Sequence, residues 1–314
     1  MQSIKTEIGI EITGFGATVL PLLYPSSTGR TDLVTCALGR LHRWDADTGE
    51  LLCEFQVTEA GSGDMPNLAV VVLPDGQVRI GAPDDDGLWL WDGVDGRLLV
   101  EPQGGANHLF EVAGGVLGDG KGLFLGGGAS GLYRWDAVTG QPTGPVPEEP
   151  LGYVVGLTTA VLRDGTSLIV ASSEDGEIHR WHAVSGEPFG ELITAPHVVA
   201  LETVYLPDSR AVFVGAADDG EVVRQWDAQT GVEMGPAVPT PDMVGSMATA
   251  TVADQMRLFT VGEEDVVRQW DLLTGDPVGQ TFTGCSVSAT ALSDGSALLA
   301  VGTRDGIVTT HRLN

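Results

Sequence analysis

Lysine is nearly missing from this chain of 314 residues. Lys5 and Lys121 stand beside fourteen arginines, and together these 16 basic residues face 43 acidic ones, a formal net charge of −27. Phosphate backbones are held by clustered Lys and Arg, so the shortage argues against a nucleic-acid partner. It argues equally against an anionic membrane surface. No apolar run approaches the ~20 residues that a membrane-spanning helix needs. Residues 1–10 contain Lys5 and Glu7 and no long apolar stretch, so no secretory signal is expected. Cysteine is equally scarce. Cys36, Cys53 and Cys285 are too few and too scattered for a disulfide framework or a zinc site, and reduced thiols in a cytoplasmic compartment fit them best. The six histidines are dispersed. Helix-length segments are also lacking, because Gly and Asp turns interrupt the chain before ten regular residues can accumulate.

What is present is repetition. Trp-Asp or its equivalent followed by a turn Gly recurs at Trp44 to Gly49, Trp91 to Gly96, Trp135 to Gly140, Trp181 to Gly186, Trp226 to Gly231 and Trp270 to Gly275. The Trp spacings are 47, 44, 46, 45 and 44 residues. A second marker runs in phase, Asp75, Asp119, Asp164, Asp208, Asp254 and Asp294, mostly in Leu-x-Asp-Gly settings. A degraded seventh copy, Asp305 to Arg312, aligns with Asp175 to His182 and puts His311 where the Trp stands elsewhere. One shared period in two markers defines a repeat protein.

Each unit reads as short apolar runs separated by hairpin turns. The fourth predicts strands at Val155 to Leu162, Ser167 to Ala171 and Glu177 to Trp181, with an outer run from Glu187 to Ile193. A four-stranded antiparallel sheet of this kind cannot bury both faces alone. Radial stacking with closure removes the exposed ends. The fold class expected is therefore all-β, a seven-bladed β-propeller spanning residues 1–314 as one domain. The Trp of each third strand serves as an inter-blade wedge, each burying roughly 150–250 Å².

These residues resemble the WD-repeat family of β-propellers. Five of seven units carry the Trp-Asp pair, and Asp-Gly turns fall at the family's offset. Runs such as Thr139-Gly140-Gln141-Pro142-Thr143-Gly144 resemble the outer-strand openings of actinobacterial members. The family's Gly-His dipeptide is missing. His108 and His197 stand near its place, and His197 with Asp219 and Trp226 forms a partial version of the buried network the resemblance implies. His108 has Ser130 and Gly131 where its carboxylate partner belongs. The resemblance also implies that the first strand closes the last blade. Lys5 to Ile12 alternates polar and apolar residues as such a strand requires.

Candidate functional residues fall into two series. Carboxylates recur between the second and third strands: Asp84-Asp85-Asp86, Glu174-Asp175, Asp218-Asp219, Glu263-Glu264-Asp265 and, in the last copy, Asp305. Turn chemistry explains them on one reading. On the other, the loops of this resemblance share a face around a central channel, where Asp86, Asp175, Asp219, Asp265 and Asp305 steer a basic peptide or protein. Two residues before each Trp position stand His42, Trp89, Tyr133, His179, Arg224, Arg268 and Thr309. They vary from copy to copy, as contact positions and idle positions both can.

Catalytic motifs find little support. Gly115 to Lys121 has phosphate-loop spacing, but Gly122 replaces the Ser or Thr that would hold magnesium, and a strand follows in place of a helix. His179 and His182 fall on opposite faces of a strand and so do not share a metal. No nucleophile elbow occurs. No catalytic residue, cofactor or metal is expected. The leading expectation is a non-catalytic scaffold for a basic protein or peptide. The alternative is a small-molecule ligand or an enzyme site in the central funnel.

Overall fold

A computed structural model describes residues 8–11, 20–26, 29–37, 40–56, 67–102, 108–129, 131–143, 152–195, 197–217 and 222–314. Among them are twenty-seven β-strands and no helix. The chain opens with β1 (Ile8–Glu11). The first sheet follows as β2 (Leu20–Pro25), β3 (Thr31–Ala37), β4 (Arg40–Asp45) and β5 (Leu51–Glu54). The second contains β6 (Ala69–Val72), β7 (Val78–Asp84), β8 (Gly87–Asp92) and β9 (Leu98–Val100). The third contains β10 (Leu109–Val116), β11 (Gly122–Gly128) and β12 (Gly131–Asp136). The fourth contains β13 (Val154–Val161), β14 (Ser167–Ser173), β15 (Glu177–His182) and β16 (Ile193–Thr194). The fifth contains β17 (Val198–Tyr205), β18 (Ala211–Ala217), β19 (Val222–Asp227) and β20 (Glu233–Pro239). The sixth contains β21 (Ser246–Val252), β22 (Gln255–Val261), β23 (Val266–Asp271) and β24 (Phe282–Thr283). The seventh contains β25 (Ser286–Ala291), β26 (Ala297–Gly302) and β27 (Ile307–Leu313).

These antiparallel sheets are the blades of a seven-bladed, all-β propeller fold. Two compact units comprise them. Met65–Ala237 contains the second to fourth sheets and the fifth as far as Ala237 of β20, and Met1–Asp64 with Val238–Asn314 contains the first, sixth and seventh. β1 pairs with β27, with Ile8 opposite Thr310 and Glu11 opposite Ile307, so the seventh sheet has the order β1-β27-β26-β25. The expected closing strand is therefore present over Ile8–Glu11. The remainder of the expected stretch, residues 5–7 and 12, lies outside the described residues.

The sheets are apolar on both faces because their second strands are largely buried. Every residue of β11, β14 and β18 is buried. Sheet-to-sheet packing supplies the cover. In Met65–Ala237 one cluster joins the second and third sheets through Val71, Leu90, Phe124 and Trp135. The next joins the third and fourth through Leu125, Leu157, Ile169 and Trp181. The next joins the fourth and fifth through Leu168, Val170, Phe213 and Trp226. In the other unit Leu23 and Leu33 pack with Leu298 and Val308 of the seventh sheet, and Phe259 and Val267 pack with Leu299 and Val301. In the named clusters each Trp packs against the sheet that precedes its own, as a wedge should.

Register repeats as closely as sequence. Trp44, Trp91, Trp135, Trp181, Trp226 and Trp270 pair opposite Leu33, Ile80, Phe124, Ile169, Phe213 and Leu258. His311 pairs opposite Leu299, in the same place. Its ring lies 4.4 Å from that of Phe282 on the sixth sheet, so a smaller wedge occupies the seventh junction.

The Asp markers organise turns. Asp136 Oδ1 accepts from the amides of Val138 and Thr139, and Asp227 Oδ1 does the same for Gln229 and Thr230. Asp75, Asp119 and Asp164 accept from the amide two residues on. Asp254 departs from the series: Ala253 and Asp254 are both left-handed, at φ 48° and 64°, the geometry of a mirror-image hairpin turn. Gly115 to Lys121 closes the β10–β11 hairpin, with Leu117 N donating to Lys121 O.

Two outer strands differ from expectation. The run from Glu187 to Ile193 reduces to a bridge between Trp181 and Pro188 and the short β16. Proline has no N–H for the ladder, and Gly190 at φ 72° turns the backbone away. The third sheet shows three strands and a Trp135–Pro142 bridge among the described residues.

The seventh sheet's outer edge rests on β1. Deleting residues 1–12 leaves β27 unpaired on that side, and a fall in melting temperature of about 5 °C or more is expected. Unchanged thermal unfolding, read by circular dichroism, would show that the strand is dispensable.

Candidate functional site

Strand alternation decides what the residues beside each Trp can do. Residues two apart share a face, and adjacent residues face opposite sheets. The variable series therefore lies on the Trp side. Trp89, Tyr133 and His179 stack on Trp91, Trp135 and Trp181, with ring centroids 5.9, 6.0 and 5.4 Å apart, and His42 lies 5.8 Å from Trp44 with the rings tilted by 39°. Trp89 is only 2% exposed, and its Nε1 donates to Asp84 at 2.6 Å. It braces the loop from beneath. His42, Tyr133 and His179 are half-buried. Burial lowers the pKa of His42, opposed by nearby Glu54. His179 also pairs with Glu177 at 3.1 Å, while His182 packs edge-on to Phe189, so the two histidines do diverge.

Where the series becomes basic, ion pairs replace stacking. Arg224 donates to Glu233 at 2.7 Å. Arg268 lies between Glu264 at 2.8 Å and Asp242 at 3.4 Å. Thr309 and His311 form a hydrogen bond of 2.9 Å in the degraded copy.

The loop carboxylates divide by their partners. Asp265 is bound by Arg304 of the next loop through contacts of 2.9 to 3.0 Å, and the guanidinium's hydrogen bonds hold its pKa below the usual carboxylate value. Asp305 accepts from the Thr303 hydroxyl. Asp85 Oδ1 lies 3.0 Å from His108 Nδ1, so His108 finds its carboxylate on the preceding sheet, a contact the sequence did not indicate. Asp86 and Asp175 are exposed, and neither has an ion-pair partner among the described residues. Asp218 and Asp219 lie outside the described residues, and with them the expected contact to His197. Among the described residues no group of three His, Cys, Asp or Glu side chains is arranged to hold a metal ion. No described helix is long and apolar enough to cross a membrane.

Sequence reading overlooked the residue just before the Trp position. In three copies, at Arg134, Arg180 and Thr310, it reaches the next sheet and donates to the carbonyl two residues past that sheet's Trp. Arg134 donates to Ala183 O, and Arg180 Nη1 donates to Ala228 O and Gln229 O, each at 3.0 Å. Thr310 Oγ1 donates to Ala46 O at 3.2 Å. Arg180 is 4% exposed and donates also to Glu191 O at 3.1 Å. Burial lowers its pKa, opposed by Asp227. Gly231, left-handed at φ 74°, makes room for it: a Cβ there would stand 2.6 Å from Arg180 Nη2. The signal was available as a polar residue recurring just before the Trp position, at Arg43, Arg134, Arg180, Gln225, Gln269 and Thr310.

Glu111 was also missed. It sits on β10, with Asn67 Nδ2 donating to its Oε2 at 2.9 Å. Burial raises its pKa from the ordinary 4.5 to about 7, against the lowering effect of Asn67.

No protein-family model matches the chain, and no curated protein matches it.

Two outcomes follow from these groups. Arg180→Met leaves three carbonyls without their donor and should destabilise the protein by about 1–3 kcal/mol in urea unfolding. An unchanged midpoint would show that the staple is idle. Glu111 has a folded pKa above its unfolded one, so the unfolded state releases its proton first as pH rises. Its contribution to stability is present below about 4.5 and lost as pH climbs to about 7. Glu111→Gln should remove that slope, and an identical stability–pH curve for the variant would contradict it.

Proposed function

We propose that this protein is a cytoplasmic binding scaffold of the WD-repeat type, which presents acidic loops to a basic peptide or protein. The observation that carries this reading is the pair of exposed carboxylates, Asp86 and Asp175, on loops of the second and fourth sheets. Interior-facing acids in this chain find Arg, Trp or amide partners, as Asp32 does with Arg43 at 2.6 Å. Loop acids that lack a cation of their own can take one from a partner. A net charge of −27 adds long-range attraction for such a partner and repels polyanions. The WD-repeat assignment is supported by the shared register of the six tryptophans and by the Asp turns that follow five of them.

The mechanism is presentation. Wedges and staples hold the sheets, so the loops between second and third strands are displayed without an ordering cost at each encounter. Asp86 and Asp175 accept from the partner's cations, and the proposal includes Asp219 of the fifth repeat. Asp265 is already neutralised by Arg304 and supports its loop, as Arg268 does with Glu264. His42, Tyr133, His179 and Arg224 lie half-buried beside the wedges and tune each blade's surface, while Trp89 acts from below.

Affinity capture from the native host identifies the partner. Replacing Asp86, Asp175 and Asp219 together with Lys should then slow association by at least about tenfold at low salt and flatten its salt dependence. An unaltered on-rate with the captured partner would reject this face.

A further inference from the structure

Phe110 and Tyr153 stand partly in solvent on adjacent sheets. Each is 38% exposed, and their rings stack with centroids 5.3 Å apart and planes 16° from parallel. Neither position calls for an aromatic residue on packing grounds. Phe110 is the extra residue of a β-bulge between Leu109 and Glu111. The same bulge in β13 and β17 holds Val155 and Val199. Tyr153 is the residue before β13, where β10 and β17 are preceded by His108 and His197. Two aromatic substitutions at neighbouring sites thus meet in one exposed stack.

Carboxylates approach the backbone near each ring residue. Two residues before Phe110, His108 holds Asp85, with Oδ1 3.0 Å from Nδ1. Glu174 N donates to Tyr153 O at 3.0 Å, which fixes the β14–β15 loop against the tyrosine. Asp175 Oδ2 lies 3.4 Å from where a Cβ on residue 152 would stand, and that residue is Gly152, left-handed at φ 63°. Asp175 therefore approaches the backbone next to Tyr153 with its charge unpaired among the described residues.

We propose that the Phe110–Tyr153 stack and Asp175 together receive an arginine side chain of a basic polypeptide. This inference rests on the acidic-loop reading above and narrows it to one residue type and one place. A cation is favoured twice here, by the negative faces of the rings and by the carboxylates. Arginine suits both at once, because a planar, weakly hydrated guanidinium stacks on a ring while its edge donates two hydrogen bonds to a carboxylate. An ammonium offers a compact, strongly hydrated charge and gains less from the stack.

The test uses two labelled heptapeptides, one alternating glycine with arginine and the other alternating glycine with lysine, followed by fluorescence anisotropy at about 50 mM and about 300 mM salt. The protein should bind the arginine peptide about two- to fivefold more tightly than the lysine peptide. Phe110→Val installs the residue that the next two sheets carry at this bulge, so the fold accepts it, and it should equalise the two affinities. Tyr153→Leu should do the same, and Asp175→Asn should weaken both peptides. Equal binding of the two peptides by the unaltered protein, still salt-dependent, would overturn the arginine site and leave the acidic face standing. So would a preference that survives Phe110→Val. An absence of salt-dependent binding to either peptide would overturn both readings.

Discussion

A sheet whose central strand is buried at every residue has no face to give to water. β14, from Ser167 to Ser173, is such a strand, and β11 and β18 repeat it. The other features of the chain depend on this constraint. Apolar area worth about 25 cal/mol per Å² must be covered on both sides, so each sheet is stable only between neighbours. The wedge tryptophans fill one side. A residue of that size contributes roughly 4–6 kcal/mol of burial when fully enclosed, before ordering costs.

Alternation then distributes the remaining work. On the third strands of the third and fourth sheets, Trp faces the preceding neighbour and the Arg before it faces the following one. Trp181 packs with Leu125 of the third sheet while Arg180 reaches Ala228 of the fifth. One strand therefore grips two neighbours by different chemistry, dispersion on one face and hydrogen bonds to carbonyls on the other. An Arg buried in this way without a carboxylate contact relies on several carbonyl dipoles, and the glycines at 190 and 231 admit it.

The same framework separates structural charge from available charge. Of the clustered acids between second and third strands, several are already engaged within the fold: Asp84 with Trp89, Asp85 with His108, Glu264 with Arg268 and Asp265 with Arg304. Acidity counted along the chain thus overstates what the loops can offer a partner. Asp86, Glu174, Asp175 and Glu263 remain without an ion pair among the described residues, and near Asp175 the Phe110–Tyr153 stack adds a surface that charge alone would not supply.

Periodicity by itself determined the class of fold: the spacing of Trp44 to Trp270 and the Asp-Gly turns specify short antiparallel sheets in seven copies. It also located His311 in the wedge position, while the alternation of Lys5 to Ile12, with the family resemblance, pointed to the closing strand that the structure shows over Ile8–Glu11. Tertiary structure decided everything that compares one copy with the next. Nothing in the sequence says which carbonyls Arg134 and Arg180 reach, Glu111 looks like any strand glutamate, and Phe110 and Tyr153 lie 43 residues apart. Their meaning arises where neighbouring sheets approach within van der Waals distance, for there burial removes water from a charge and brings together rings that the chain keeps apart. A repeat pattern records what the copies share, whereas a binding surface is made of the ways in which they differ and of which differences come to lie side by side.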